Sequence, residues 1–260
     1  MLRFLTAGES HGPALTAIVE GFPAGLPLTE GDVDAQLRRR QRGFGSGARM
    51  GIEQDRASFS GGVLQGRTTG APIALQIENR DWANWRDREV QPLTIPRPGH
   101  ADLTGAIKYG YRELRLALER ASARETAARV AVGALCQQLL AEFGIVVGSY
   151  VVQIGSAQVS FPGDLAYTDR FARAEENEVR CPDPAGAEAM QDGIRQAMAA
   201  RDTLGGVFEV VALGLPPGLG SHVHWDRRLD ARLMMAVGSI QAVKGVEIGP
   251  AFENAGKRGT

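Results

Sequence analysis

The chain has 260 residues, 23% of them charged, with a formal net charge of −1. That length suits one large domain or two small ones and can bury a sizeable core, while the balanced charge argues against a generic nucleic-acid binder, which is basic overall. The cysteines, Cys136 and Cys181, share no short spacing, the N-terminus lacks the apolar core of a signal peptide, and no apolar run approaches a membrane span, so a soluble, cytoplasmic protein without a disulfide framework is expected.

Glycine is abundant, 33 of 260 residues, against about 7 per cent on average. The glycines sit beside Arg, His and Ser, which favours a pocket built from loops. Residues 3–7 read as a short strand that breaks at Gly8-Glu9-Ser10-His11-Gly12-Pro13, and residues 15–20 read as a second strand. This is a hairpin with a functional tip. His11 is either an ordinary turn histidine or a ligand contact, and its neighbours Gly8, Ser10 and Gly12 leave the two readings level. Residues 29–41 form a helical pattern that Thr29 can cap with Asp32, and Val33 and Leu37 share a face. Its end, Arg38-Arg39-Arg40-Gln41-Arg42, runs into a glycine loop with Ser46 and Arg49. Arginines at a helix C-terminus are favourable in themselves. The alternating glycines favour a loop that wraps a phosphate or carboxylate.

Residues 52–60 and 71–78 alternate like strands. Residues 79–95 are polar and irregular, with Trp82 and Trp85 as anchors or as contacts to another subunit. Residues 97–126 form the centre of the reading: a tight Pro98-Gly99 turn carries His100 between Arg97 and Asp102, then arginines recur at 112, 115, 120 and 124. A helical pattern covers 101–143, with Ile107, Tyr111, Leu114 and Leu118 on one face. An unbroken helix would return Arg129 to that apolar face, and a buried unpaired arginine is costly. So either the helix breaks near Ala121-Ser122-Ala123 or Arg129 has an anionic partner. A break would open an anion site at a helix N-terminus, flanked by Arg120 and Arg124. The competing reading is an exposed ladder in which Glu113, Glu119 and Glu125 pair with these arginines.

Further on, residues 145–159 read as one long strand kinked at Gly148, 162–184 as loop or short helix, 185–201 as a helix carrying Met190, Ile194 and Met198, 207–213 as a strand, and 226–240 as a helix with Leu229, Leu233 and Met234 inward. His222, His224 and Asp226 have strand spacing, but no further convergent ligands accompany them, so no metal site is expected. Together the residues describe a pocket for a small polyanion. A histidine beside such an anion holds its proton more tightly, which suits acid-assisted chemistry on a phosphorylated acid.

Several long strings resemble the chorismate synthase family: GESHGPALTAIVEGFPAG at 8–25, RPGHADL at 97–103 and ERASARET at 119–126, with LRRRQRGFGSGARM, TTGAPI, DTLGGV, GLGSHVHWDRRLDARL and VKGVEIGPAFENA in order and spacing. The resemblance covers nearly the whole chain. It implies an α+β fold, a β-α-β sandwich with antiparallel sheets around helices, in one domain over 1–260, assembled as a homotetramer. It implies a lyase of the shikimate pathway of aromatic amino acid biosynthesis: anti-1,4-elimination of phosphate from 5-enolpyruvylshikimate 3-phosphate to chorismate. Reduced FMN (FMNH2) is required without net redox change, and either NADPH or a separate reductant keeps it reduced. By the same resemblance His11 donates a proton to the reduced flavin or the nascent phosphate, and His100 protonates the flavin region. Ser10, Arg40, Arg49, Arg97 and Arg124 match substrate positions. Arg120, Ala121, Ser122, Gln241 and Ala242, with Arg40 and Ser46, match cofactor positions; no metal, nucleic acid or membrane is implied.

The chain departs from the family at three places. Gln241 stands where Asn is usual. Ser46 stands where the loop usually has Arg, which removes a charge-assisted contact of roughly 1.5–3 kcal/mol if buried and predicts weaker ligand binding. Family members also continue past the position of Thr260, through a TNRAGG-like loop, a Lys-Pro flavin segment and an R-S-D motif with a catalytic Asp. The competing expectation is therefore a remnant that binds flavin or phosphate without turnover.

Overall fold

The computed structural model describes residues 2–45, 54–161 and 165–259. β1 (Arg3–Ala7) and β2 (Ala14–Glu20) pair antiparallel as the hairpin expected from their alternation, with Thr6 opposite Ala17. β3 (Ala57–Gly61), a small β4–β5 hairpin (Val63–Leu64 and Arg67–Thr68), β6 (Ile73–Glu78) and a one-turn helix, α2 (Trp82–Trp85), follow. The first sheet is antiparallel in the order β1-β2-β6-β3. Period-two alternation turns Leu15, Ala17 and Val19 of β2 and Ile73, Leu75 and Ile77 of β6 to one buried face.

Two helices cover that face. α1 (Glu30–Gln41) starts as predicted, with the Thr29 N–H donating to Asp32 Oδ2 at 2.8 Å, and buries Val33 and Leu37 completely. α5 (Thr126–Ala141) contributes Ala127, Ala128, Ala131, Val132 and Leu135. Its small side chains let the helix axis lie close to the sheet.

The other side of α1 and α5 meets a second sheet, β8-β7-β9, made of β7 (Val146–Ile154), β8 (Ala157–Gln158) and β9 (Gly206–Leu213). Arg39 on α1 reaches across to Ser149 Oγ at 3.2 Å. The order is sheet, helices, sheet, the layering implied by the resemblance. α6 (Tyr167–Ala174) and α7 (Pro184–Ala200) flank β7 and β8, and a smaller core gathers Val179, Cys181, Ala187 and Met190. After β9 come α8 (Leu229–Gly238) and α9 (Ala251–Asn254).

Three expectations need correction. The 101–143 pattern is not one helix: α3 (Asp102–Tyr109) stops at Gly110, whose φ is +70°, α4 (Arg115–Ala121) stops at Ser122, and a 3-10 turn (Ala123–Glu125) leads into α5. The apolar face drawn across it therefore does not exist as a stripe; Leu114 is buried, whereas Ile107 is 74% exposed. The 145–159 strand is a hairpin, β7 then β8, and its register shifts between Val151 and Gln153 rather than at Gly148. Gly148 serves packing instead, because a Cβ there would lie 2.4 Å from the Phe171 ring of α6. On α8, Leu233 is 46% exposed, not inward.

Candidate functional site

The site grows from the β1–β2 corner. Gly8 has φ +107°, and a Cβ on it would lie 2.4 Å from the Ala14 carbonyl, so only glycine lets the chain turn there. Asn79, at the end of β6, pins the corner by donating from Nδ2 to the carbonyls of Gly12 (2.7 Å) and Glu9 (3.2 Å). Ser10 is consequently buried, and its N–H donates to the Glu119 carbonyl at 3.1 Å.

The facing wall is the break between α4 and α5. Ser122 leaves helical geometry with ψ 143°, and its Oγ accepts from the Arg124 N–H at 3.3 Å. The same hydroxyl donates to Ser10 Oγ at 3.1 Å, so corner and break meet directly. The sequence posed a choice between a helix break and a partner for Arg129. The structure has both: Arg129 pairs with Glu125 at 2.9 Å and also donates to the Ser239 carbonyl.

Behind this wall lies a charged core. Arg124 donates from Nη1 to Asp55 Oδ2 at 2.7 Å and from Nε to Asn79 Oδ1 at 2.8 Å. Arg40, at the end of α1, brings Nη1 within 3.7 Å of the same Asp55 oxygen and donates from Nε to Thr126 Oγ1. One fully buried carboxylate thus organises Arg40 and Arg124, two of the four arginines matched to the substrate.

His11 sits at the rim. Its Nδ1 lies 2.8 Å from Glu119 Oε1, and its ring packs on Trp85 with centroids 4.0 Å apart. Trp85 therefore acts as an anchor, as one of its two readings had it, and its Nε1 donates to Asp81 at 3.0 Å.

The glutamates are not a surface ladder for the neighbouring arginines. Glu113 accepts from the Leu93 and Arg115 N–H groups. Glu119 holds His11, with Arg115 at 4.0 Å. Glu125 accepts from Thr6 (2.7 Å), Arg129 and Gln241 (2.9 Å). Burial pushes the Glu125 carboxyl up, but the hydrogen bonds from Gln241, Thr6 and Arg129 outweigh it and hold the group below the usual carboxylate range.

Glu125 also gathers the residues matched to the cofactor. Arg120, exposed on its other side, donates to the Thr6 carbonyl (2.9 Å) and hydroxyl (2.8 Å); Thr6 donates to Glu125; Gln241 donates to Glu125. Arg120, Ala121, Ser122 and Gln241 therefore converge although 119 to 122 and 241 are remote in sequence. A cation, a helix start and small side chains suit a phosphate monoester carrying a flat ring, so the residues present fit a flavin mononucleotide. The Gln241 Nε2 donates to Glu125 while its Oε1 is buried with no hydrogen-bond partner among the described residues, and Ala242 adopts φ +69°.

Arg97 and His100 occupy the turn that precedes α3. Arg97 makes a two-pronged pair with the fully buried Asp102, Nε to Oδ2 at 2.8 Å and Nη2 to Oδ1 at 3.0 Å. The Arg97 hydrogen bonds, opposed by burial, hold the Asp102 carboxyl below its usual range. His100 is exposed on this turn, which leads into α3, and α3 packs on α4, where a Cβ on Gly105 would lie 2.7 Å from that of Ala117. Ser46 and Arg49 lie outside the described residues. His224 pairs with Asp226 on the surface, and among the described residues no group of three or more His, Cys, Asp or Glu could hold a metal ion.

Asp55, Asn79, Thr6 and the roles of Glu119 and Glu125 were not anticipated as site features. For the glutamates a signal existed, since they bracket the break. Asp55 and Asn79 carry none, since each is one polar residue among others in Glu53-Gln54-Asp55-Arg56 and Glu78-Asn79-Arg80-Asp81.

The family model for chorismate synthase matches residues 2–260. Curated chorismate synthases from Aquifex aeolicus and Desulforudis audaxviator are 54% and 55% identical to the chain, over all of it and 69% of each relative. The one from Symbiobacterium thermophilum is 55% identical over all of the chain and 70% of the relative. A solved chorismate synthase structure superposes with a TM-score of 0.85 at 50% identity, covering 99% of this chain and 71% of that one.

Proposed function

This chain belongs to the chorismate synthase family, and from that premise we propose that it removes phosphate from 5-enolpyruvylshikimate 3-phosphate by anti-1,4-elimination, giving chorismate. The observation that carries the reading is the junction of corner and break, where Ser10 meets Ser122 beside Arg124, Arg40 and His11.

Reduced FMN, when bound, supplies electron density that helps phosphate leave and accepts the hydrogen lost from the ring, with no net redox change. Arg120, Ala121, Ser122, Gln241 and Ala242 would hold it. Arg40, Arg124 and Ser10 present donors to the phosphate and carboxylates of the substrate, in a site whose Asp55 already fixes the guanidinium orientations, so little reorganisation is needed. Arg97, locked by Asp102, contributes a further cation from the adjoining turn. His11 delivers a proton where negative charge develops on the departing phosphate, and His100 serves the flavin region. Arg49 and Ser46 belong to the same proposal through the glycine loop.

The chain is read as one domain of a cytoplasmic homotetramer whose flavin is reduced by NADPH or a separate donor. What supports assembly is apolar surface on the single chain: Phe4 (43% exposed), Leu5 (61%) and Ile18 (46%) on the first sheet, and Val207 (49%), Phe208 (42%) and Val210 (49%) on β9. No described helix is long and apolar enough to cross a membrane.

The test is anaerobic turnover with FMN reduced beforehand. Equal amounts of phosphate and chorismate are expected, with the flavin still reduced at the end. Flavin binding without product would contradict the reading.

A further inference from the structure

We propose that Glu119 is the positioning residue of His11, holding the imidazole through Nδ1 so that Nε2 carries and delivers the proton. This rests on the reading of His11 as a proton donor.

Glu119 grips the corner three times. Its carbonyl accepts from Ser10 N–H at 3.1 Å, its Oε2 accepts from His11 N–H at 2.8 Å, and its Oε1 lies 2.8 Å from His11 Nδ1. The two side chains are 20% and 13% exposed, so water competes weakly for the bond. Trp85 fixes the ring's face while Glu119 fixes its edge. Trp85 is itself held by Asp81 and lies under the guanidinium groups of Arg88 (5.2 Å) and Arg115 (5.8 Å).

The chemistry follows from the two ring nitrogens. A carboxylate only accepts, so it binds the ring through Nδ1–H. The charged imidazole then has its second proton on Nε2, pointing away from Glu119. When that N–H bond breaks and the proton passes to a phosphate oxygen, the ring is left as the Nδ1–H tautomer. That is the form Glu119 already holds, so donation requires no rearrangement, and Glu119 stays ionised throughout. Among the described residues, the charged groups near the pair include Arg115, 4.0 Å from Glu119 Oε1, Asp81 and Arg88 around Trp85, and Glu9, whose Oε2 lies 3.2 Å from where a Cβ on Gly12 would sit. Arg115 tempers the carboxylate without taking its place on Nδ1.

Glu119→Gln separates positioning from mere stapling of the corner, because the amide oxygen still accepts from the backbone but carries no charge. We expect kcat to fall about tenfold or more with KM little changed, and the alkaline fall in rate to begin at lower pH. Glu119→Asp restores the charge and should bring the alkaline limb back toward wild type. In the ligand-free protein, 1H–15N NMR of the histidines should show His11 protonated at Nδ1, with a downfield proton that is lost in Glu119→Gln. Wild-type kcat and an unmoved alkaline limb in Glu119→Gln, or a neutral His11 protonated at Nε2, would overturn the proposal. Undiminished turnover in His11→Ala would instead overturn the role of His11 itself.

Discussion

Asp55 shows how a single residue sets the charge geometry of the site. Its side chain is fully buried and that of Arg124 is 5% exposed, so removing one partner strands the other in a medium that solvates it poorly. Asp55→Ala is expected to cost about 3–5 kcal/mol, read from urea unfolding; a loss below about 1 kcal/mol, the range of an exposed pair, would contradict the burial. Glu125 makes a second prediction at this scale. Its carboxyl is lower in the folded chain than in the unfolded one, so its stabilisation is complete above the ordinary value of about 4.3 and is lost as pH falls through the folded value. Glu125→Gln should therefore show a flatter loss of stability on acidification below that value than wild type. Parallel acid limbs in the two proteins would mean that Thr6, Arg129 and Gln241 do not hold the charged form. Some of this was legible in sequence and some was not. Arg129 could be reasoned about because its helical register collided with an apolar face. Asp55 and Asn79 could not, since Arg124 finds them 69 and 45 residues away, and nothing local marks either one.

Among the elements, the corner and the break were readable for the same reason: several local signals agree within a few residues. Gly8, Ser10 and His11 lie between two alternating strands, and Ser122 stands between alanines in a run of arginines. The apolar stripe drawn over 101–143 failed because Gly110 and Ser122 divide it into helices that pack independently. The long strand failed because a tight turn at Gly155, φ +58°, folds the chain back as β8. The close approach of α3 to α4 can be tested. Gly105→Val should force the helices apart, costing about 1–3 kcal/mol as overpacking does, and should lower turnover by displacing His100 relative to α4. Circular dichroism melting alongside the assay checks it; unchanged stability and rate would show that the contact is not tight. A second clamp joins β7, β9 and α6, where Tyr150 donates to Glu209 and accepts from Arg170 at 3.1 Å. Burial and the Glu209 bond push the Tyr150 hydroxyl up to about 12. Tyr150→Phe removes both hydrogen bonds and should destabilise the fold by about 1–3 kcal/mol in thermal or chemical unfolding, with turnover at saturation retained.

At the scale of the whole molecule, the two sheets and the helices between them act as a frame that brings six sequence-distant stretches, around Ser10, Arg40, Asp55, Asn79, Ser122 and Gln241, to one place. Local patterning gave the strands and helices, but the sheet-helix-sheet order depended on the family resemblance, because periodicity says which face is buried and not what buries it. The site was legible as an inventory of anion-binding residues; its wiring, Asp55 between two arginines and Glu125 between Thr6 and Gln241, is a property of the assembled fold. The central claim is that the β1–β2 corner and the α4–α5 break together form the reaction pocket. The most direct measurement is a crystal structure of the protein with 5-enolpyruvylshikimate 3-phosphate and oxidised FMN bound. The account predicts the substrate against Ser10, His11, Arg40 and Arg124, with the flavin along residues 120–122 and 241–242. Ligands seated elsewhere, for example in the apolar hollow between Phe44, Ile194 and Phe208, would contradict it.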